Sequence, residues 1–323
     1  MTQPSNQLPD SEYPENHSAM SDSPLILASF EENIPHLSSR STEVVYKTVA
    51  GSSKTTEACT PYVLLCHDPK MDSSLINLAD STLFQLRGNA FGNRRLSLAF
   101  PEMAMDTEAD LCGATESQIL SPILEILHER WNGRYCFRKE TSPVSKGSVD
   151  SSARFDIVFE MNGNDRELIV VLELKRRELI RYEDFAQSKD PKMIHGMMDY
   201  NSQDNDNEER IHDAKSMRGR SPWAGNALPF LKQVSKYANG GGGCQHIALF
   251  NWDHLLLFKF RKEDIGTTKG SLQATAGDSA ELTWVSENNA VHNRDEGKYI
   301  RREKIRKALL GFMVEAFQAK FGD

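Results

Sequence analysis

The chain has 323 residues, of which 38 are Lys or Arg and 46 are Asp or Glu, so its formal net charge is −8. This balance argues against a polycation that coats nucleic acid or a membrane by charge alone, but it leaves room for a local basic groove. Five scattered cysteines without a CxxC pair provide neither a disulfide framework nor a structural zinc spacing. No apolar run approaches the roughly 20 residues that span a bilayer, and no signal-peptide pattern opens the chain. We therefore expect an intracellular protein of the nucleus or cytoplasm with no membrane partner.

Two acidic, polar segments dilute the apolar content of the chain. Residues 1–60 contain three Lys or Arg and eight Asp or Glu, which predicts a disordered tail because such a segment buries little apolar surface. Residues from about 196 to 222 read as a flexible insert, and 199–213 alone carry six acids and one Arg. We expect one domain over 61–323, interrupted by this insert, and composition does not indicate an oligomeric state.

Periodicity predicts an α/β fold, since strands and helices alternate along the second half of the chain. The run Leu168–Leu172 is apolar without a break, which is typical of a strand covered on both faces. Pro122 lies inside a helical pattern and predicts a kink or a late start there. The expected elements are a strand at 61–66, a helix at 116–130, strands at 135–137, 153–160 and 167–175, a helix at 227–238, a hairpin of 246–251 with 254–260, a weaker strand at 281–285 and a helix from about 299 to 320; 75–105 is unassigned.

Asp156, Glu173 and Lys175 are the residues that predict a functional site. Glu173 and Lys175 are two residues apart and therefore point to the same face of a strand. If 153–160 and 167–175 form a hairpin with its turn between 163 and 164, Asp156 lies opposite Val171 and diagonal to Glu173. Acids and lysines are seldom buried without partners, and a divalent cation is one partner for two carboxylates. The alternatives are two surface residues with a structural salt bridge, or an unrelated α/β fold in which the carboxylates lie far apart.

Asp156 within F-D-I-V, sixteen intervening residues and then E-L-K at 173–175 resemble the motif of the PD-(D/E)xK nuclease superfamily. The resemblance implies a restriction-endonuclease-like core, with a mixed sheet flanked by helices, and divalent-metal-dependent cleavage of phosphodiester bonds. It further implies Mg²⁺ or Mn²⁺ at Asp156 and Glu173, with Lys175 as the third catalytic residue. Phe155 stands where the motif usually has Pro.

Many members of this superfamily carry an acid on the first core helix, and Glu116 and Glu125 are the candidates here. At about 100° per residue the two lie on opposite sides of a helix. Glu116 shares the apolar face, so we expect it to point inward as an indirect metal ligand. An acid that stabilises the helix N-terminus is the alternative for Glu116.

Gln233 and Tyr237 match the QxxxY motif of RecB-like members of the superfamily, and residues four apart share one helix face. The resemblance implies that both line the site and help to orient substrate. The order of elements over about 115–260 is also similar to the nuclease-like domains of fungal proteins and of crinkler-type effectors.

Basic residues beside these motifs predict a rim that contacts nucleic acid, with DNA as the expected substrate. A solvated charged face is the alternative for the run Lys175–Arg177 with Arg181. A catalytically inactive module that binds nucleic acid or a protein partner is the alternative for the whole domain. A second basic segment at 294–307 holds seven Lys or Arg against three acids. The rim residues are Arg176, Arg177, Arg181, Lys232 and Lys236.

Overall fold

The structure is a computed structural model, and it confirms the α/β class. None of the helices in its described part is long and apolar enough to cross a membrane. The described residues are 25–32, 34, 46–49, 60–61, 63–66, 74–88, 90–96, 107–141, 155–163, 167–186, 197–199, 223, 225–239, 243–260, 279–286, 300–301 and 304–322.

Nine strands of the described chain form one mixed sheet, and their order across it is β2-β3-β4-β6-β7-β8-β1-β5, with β9 beside β8. The β3–β4 pair is antiparallel, whereas β4–β6 is parallel. The strands are β1 Val63–Cys66, β2 Tyr135–Thr141, β3 Phe155–Met161, β4 Leu168–Leu174, β5 Met197–Asp199, β6 His246–Phe250, β7 His254–Phe260, β8 Ser279–Ser286 and β9 Ile300–Arg301.

Helices cover both faces of the sheet and give two apolar clusters, one on each side. One cluster lies under α1–α4 and α7, and the other lies under α6. β4 is buried along its whole length, as its unbroken apolar run predicts. The helices are α1 Ile26–Ser29, α2 Ser74–Arg87, α3 Glu108–Ala114, α4 Ser121–Trp131, α5 Tyr182–Ala186, α6 Ala227–Asn239 and α7 Ile305–Phe321.

The helix predicted at 116–130 begins at Glu108, eight residues earlier than expected. Thr107 caps it: the Thr107 hydroxyl accepts the N–H of Asp110 at 3.1 Å, and the Asp110 carboxylate accepts the N–H of Thr107 at 2.8 Å. Helical structure then continues to Trp131 through a π-helical turn at Thr115–Leu120. This wider turn ends two residues before Pro122, whose ring nitrogen has no hydrogen to donate. The helix therefore does not start late at the proline, and the irregularity near it is a π-helical turn.

The strand register differs from the predicted one by two residues. Ile157 pairs with Leu172, and a bulge lies between Phe159 and Glu160. This register brings Asp156 level with Glu173, rather than opposite Val171 as predicted. A bulge places an extra residue in one strand, so a turn position read from sequence does not determine the pairing beyond it.

The last helix begins at Ile305 instead of about 299, because Ile300–Arg301 forms β9 alongside β8. Buried Arg306 donates to the backbone oxygens of Gln118, Ser29 and Glu32 at 2.7, 2.6 and 3.0 Å. The predicted basic segment therefore contributes a structural arginine at this position.

Some residues within 1–60 are packed into the domain. Ile26 and Phe30 are 1% exposed and belong to the core cluster under α4 and α7. Further along, Lys47 forms an ion pair with Glu178 at 2.9 Å. The expectation of an unpacked tail does not apply to these residues, and most of 1–60 lies outside the described residues. The predicted insert falls outside them too, apart from β5.

Candidate active site

The predicted acid–acid–lysine set comes together where β3 and β4 run side by side. Asp156 Oδ2 accepts the backbone N–H of Leu174 at 2.8 Å, which ties the Asp156 side chain to the end of β4. Glu173 is 4% exposed, and its Oε1 accepts from Nζ of Lys175 at 2.6 Å. The alternation of strand side chains explains why Glu173 and Lys175 project together while Leu174 packs into the opposite core cluster.

Helix α6 supplies two further donors to the same glutamate. Gln233 Nε2 donates to Oε1 of Glu173 at 2.5 Å, and the Tyr237 hydroxyl donates to Oε2 at 2.9 Å. Gln233 also donates to the Tyr237 oxygen at 2.6 Å, so the pair shares one helix face as its spacing predicts. The Phe155 ring packs on that of Tyr237 with centroids 4.8 Å apart. Phe155 thus lies directly against the ring of Tyr237.

Burial and the charges of neighbouring groups shift the pKa values of Asp156 and Lys175. Burial, with the nearby charge of Glu173, raises the pKa of Asp156 to about 6, although the Leu174 N–H and Lys175 oppose the rise. Burial lowers the pKa of Lys175, but Glu173 and Asp156 outweigh it, so that pKa lies above its ordinary value. The site therefore combines one protonated amine with a carboxyl group that ionises close to neutral pH.

Glu108, at the start of α3, is an acid that the sequence reasoning did not consider. Burial raises its pKa, Lys175 lowers it and Asp156 raises it, which places its carboxyl group within electrostatic reach of both. The sequence does contain a pattern that indicates this helix start, the T-x-x-D capping box at 107–110. The assignment of the first helix to 116–130 excluded this residue from the candidates.

The structure pairs Glu116 with residues other than Asp156 and Glu173. Its carboxylate forms an ion pair with Lys139 on β2 and accepts from the Cys112 thiol at 3.5 Å. Glu125 is exposed and pairs with Arg94, in agreement with the outward direction expected for it. The inward-facing helix acid of the prediction is therefore bound to a lysine of the chain.

Two arginines of the predicted basic rim have carboxylate partners elsewhere in the chain. Arg177 forms a two-pronged pair with Asp253, with both distances 2.9 Å, and it is mostly buried. Arg181 is bound to Asp184 at 2.9 Å, and its guanidinium lies 3.8 Å from the Tyr46 ring centroid. Both arginines are thus engaged within the protein.

Exposure does not separate the remaining rim residues from Arg181, which is 45% exposed. Arg176 is 47% exposed and pairs with Glu178 at 2.8 Å, while Lys232 and Lys236 are half-buried on α6. Arg176 also lies close enough to lower the pKa of Glu108. Arg176 and Arg181 are therefore the rim residues that solvent reaches most.

Among the described residues, no group of three or more His, Cys, Asp or Glu side chains is arranged to hold a metal ion. Comparisons of the chain with models of protein families, with curated proteins and with solved structures gave no significant match. Function is therefore argued from the site itself.

Proposed function

We propose that the protein is a divalent-metal-dependent nuclease that hydrolyses phosphodiester bonds in DNA. The observation that carries the proposal is the set of contacts to Glu173: Lys175, Gln233 and Tyr237 all donate to it. Three donors offset the cost of burying a carboxylate, and a neighbouring carboxyl group of raised pKa is common at functional sites. A restriction-endonuclease-like core is part of the proposal, supported by the antiparallel β3–β4 pair that bears both acids and by parallel β6 beside β4.

The side chains present fit Mg²⁺ or Mn²⁺. Asp156 and Glu173 offer hard oxygen ligands, and a cation between them would relieve the repulsion that raises the pKa of Asp156. Mg²⁺ is commonly held by one or two carboxylates, with waters and substrate phosphate completing its coordination. A two-carboxylate set is thus sufficient for such an ion. When bound, the metal would polarise a phosphoryl oxygen and lower the pKa of a coordinated water.

The chain's own groups have distinct parts in this proposal. The protonated Lys175 ammonium, next to Glu173, can donate to a phosphate oxygen and stabilise charge that develops there. Gln233 and Tyr237 hold the Glu173 carboxylate in one orientation through both of its oxygens. Glu108 adds negative potential at the start of α3 and helps to keep Lys175 charged. Lys175 is thus placed for chemistry, while the residues of α6 position the acid.

A cleavage assay on the full chain tests the proposal. The purified protein is incubated with single- and double-stranded DNA and RNA in Mg²⁺, in Mn²⁺ and in chelator. We expect DNA cleavage that requires the metal and that Lys175→Met abolishes, while circular dichroism shows a folded variant. Lys259→Met, on β7, is the matched control and should cut like wild type. Absence of cleavage of every substrate by folded protein would contradict the proposal.

A non-catalytic binding module is the second candidate. One observation favours it: Lys175 forms an ion pair with Glu173, so the charges of the amine and the acid are balanced without a ligand. Calorimetric titration of the wild type and of Asp156→Asn with Mn²⁺ separates the two candidates. Binding that depends on Asp156 supports the nuclease, and binding of nucleic acid without any metal site supports the module.

A further inference from the structure

Residues 46–49 form a short strap that lies against the turn into α6. The strap binds through its backbone: the N–H of Lys47 donates to the backbone oxygen of Glu178 at 3.0 Å, and the N–H of Val49 donates to Oδ1 of Asn226 at 2.7 Å. Val49 also packs against the apolar cluster under α6. A segment within the predicted disordered tail therefore contributes to the face of the sheet that carries the candidate site.

Asn226, the residue before α6, binds the strap through its side-chain amide. Its Nδ2 donates to the backbone oxygens of Lys47 and Leu179 at 2.7 and 2.8 Å, while its Oδ1 accepts from Val49. An amide nitrogen carries two hydrogens, so both of them are bonded in this fully buried side chain. One side chain thus joins the strap, the segment after β4 and the start of α6.

The backbone around Asn226 is bound to Asp184 in α5. The Asn226 N–H donates to Oδ2 of Asp184 at 3.3 Å, and the Tyr46 hydroxyl of the strap donates to the same oxygen. Arg181 donates to the other oxygen of this buried carboxylate at 2.9 Å. Gly225 has a φ of +51°, and a Cβ there would lie 2.5 Å from Oδ1 of Asp184. The turn into α6 is therefore held by the strap and α5 together.

The first turns of α6 connect Asn226 to the candidate site. The Phe230 N–H donates to the Asn226 oxygen at 3.3 Å, and the Phe230 ring centroid lies 5.9 Å from Nζ of Lys175. Three residues further on, Gln233 donates to Oε1 of Glu173, the oxygen that also accepts from Lys175. Intrahelical hydrogen bonds keep the spacing of these residues, so a displacement of Asn226 also moves Phe230 and Gln233.

The strap is also bound to the segment that follows Lys175 on the other side. Nζ of Lys47 and the guanidinium group of Arg176 both contact Oε1 of Glu178, at 2.9 and 2.8 Å. The next residue, Leu179, accepts from Asn226. The chain after β4 is therefore tied to the strap and to Asn226 at two successive residues, only three and four positions beyond Lys175.

We propose that Asn226 is a positioning residue of the candidate site, and that the docked strap keeps Lys175 and Glu173 in the arrangement that cleavage requires. Asn226 acts through α6, which contacts both residues, and through the segment after β4. A displacement of about 1 Å at reacting groups can slow an enzyme about 100-fold, so the loss of these bonds has a measurable effect on rate. The inference rests on the proposed function, which supplies the reaction.

Steady-state cleavage of DNA by the full chain in Mg²⁺ measures this effect. Asn226→Asp keeps the size of the side chain but turns a carboxylate toward two carbonyl oxygens. We expect kcat to fall about 10-fold and KM to stay within about twofold, because the change acts on the reacting groups. Tyr46→Phe removes only the hydroxyl that bonds Asp184 and should lower kcat about threefold.

Gly311→Ala is the control for lost stability, since it lies in α7 on the opposite face of the sheet. It should keep the kcat of wild type. All rates are measured at a temperature where circular dichroism shows each variant folded.

The side-chain amide signals of Gln233 in a ¹⁵N–¹H NMR spectrum report the same coupling without cleavage. They are assigned by their loss in Gln233→Glu. Nε2 of Gln233 donates to Glu173 and to the Tyr237 oxygen, so a displacement of α6 changes these hydrogen bonds and the chemical shifts. The spectra are recorded in chelator, where no metal contributes.

We expect Asn226→Asp and Tyr46→Phe to shift the Gln233 signals and Gly311→Ala to leave them in place. Unchanged Gln233 signals, or a wild-type kcat, in the folded variants overturn the inference, and Tyr46→Phe decides if Asn226→Asp does not fold. If folded wild-type protein cuts no nucleic acid, the proposed function fails, while the Gln233 signals still show whether the strap and the site are coupled.

Discussion

Tyr237 on α6 donates from its hydroxyl to Oε2 of Glu173 on β4 at 2.9 Å, across 64 positions of sequence. This bond connects the helix on one face of the sheet to the acid at the strand end. Tyr237 is 2% exposed and Glu173 4%, so neither has much access to water as a replacement partner. The orientation of the Glu173 carboxylate therefore depends on how α6 packs on the sheet.

Tyr237→Phe should weaken both the fold and the activity. The substitution keeps the ring that packs on Phe155 but leaves Oε2 of Glu173 without this donor. We expect the free energy of unfolding to fall by about 1–3 kcal/mol, and cleavage to fall about 10-fold to 100-fold. Denaturant unfolding and initial rates measure the two effects. Tyr135→Phe on β2 is the control, and an equal loss of activity there would contradict a specific role for Tyr237.

Stability should depend on the ionisation of Asp156. Its pKa is about 6 in the folded protein against about 3.9 in an unfolded chain, so the folded state binds more protons between these values. The free energy of unfolding therefore falls as pH rises from about 4 to 6, by about 2 kcal/mol from this group. Asp156→Asn should be more stable than wild type above pH 6 and similar below pH 4. Unfolding curves that differ equally at all pH values would contradict this assignment.

Mn²⁺ should stabilise the protein in a manner that needs both acids. A ligand that binds only the folded state raises its stability, by about 2.7 kcal/mol at 100 times its Kd. We expect an increase in Tm with Mn²⁺ at pH 7.5, and a much smaller one at pH 5, where Asp156 is mostly protonated. Asp156→Asn and Glu173→Gln should each lose the increase, which differential scanning fluorimetry would show. Retention of the increase in both variants would place the metal elsewhere.

Gly311→Ala should destabilise the fold without any effect on the site chemistry. A Cβ at Gly311 in α7 would lie 1.9 Å from the backbone oxygen of Leu75 in α2, so the two helices would have to separate. We expect a loss of about 1–3 kcal/mol in the free energy of unfolding. Gly88→Ala, where nothing lies within 4 Å of the added carbon, is the control and should change stability little. Equal effects at both positions would argue against the close approach of α2 and α7.

The local sequence pattern was sufficient to predict which motif residues share a face of a strand or a helix. Asp156 and Glu173 do share a face, even though the predicted register was wrong by two residues, because a slip of two preserves the alternation of faces. Gln233 and Tyr237 share a helix face for the equivalent reason, their spacing of four. No comparable periodic pattern in the sequence indicates the bulge between Phe159 and Glu160.

The tertiary structure decided which charges meet. Packing of the helix on the sheet brings Glu116 to Lys139, and it places Glu108 where its charge helps to raise the pKa of Lys175. The partners of Arg177 and Arg181, which are Asp253 and Asp184, were likewise not indicated by the sequence.

The amino-acid sequence by itself determined the α/β class, the buried strand and the faces on which the motif residues lie, since these follow from periods of 2 and 3.6 residues. The folded chain decided the pairing of charges and the environment of Asp156. Those depend on packing between elements far apart in sequence, and on burial, which raises the pKa of Asp156 and which no local pattern encodes.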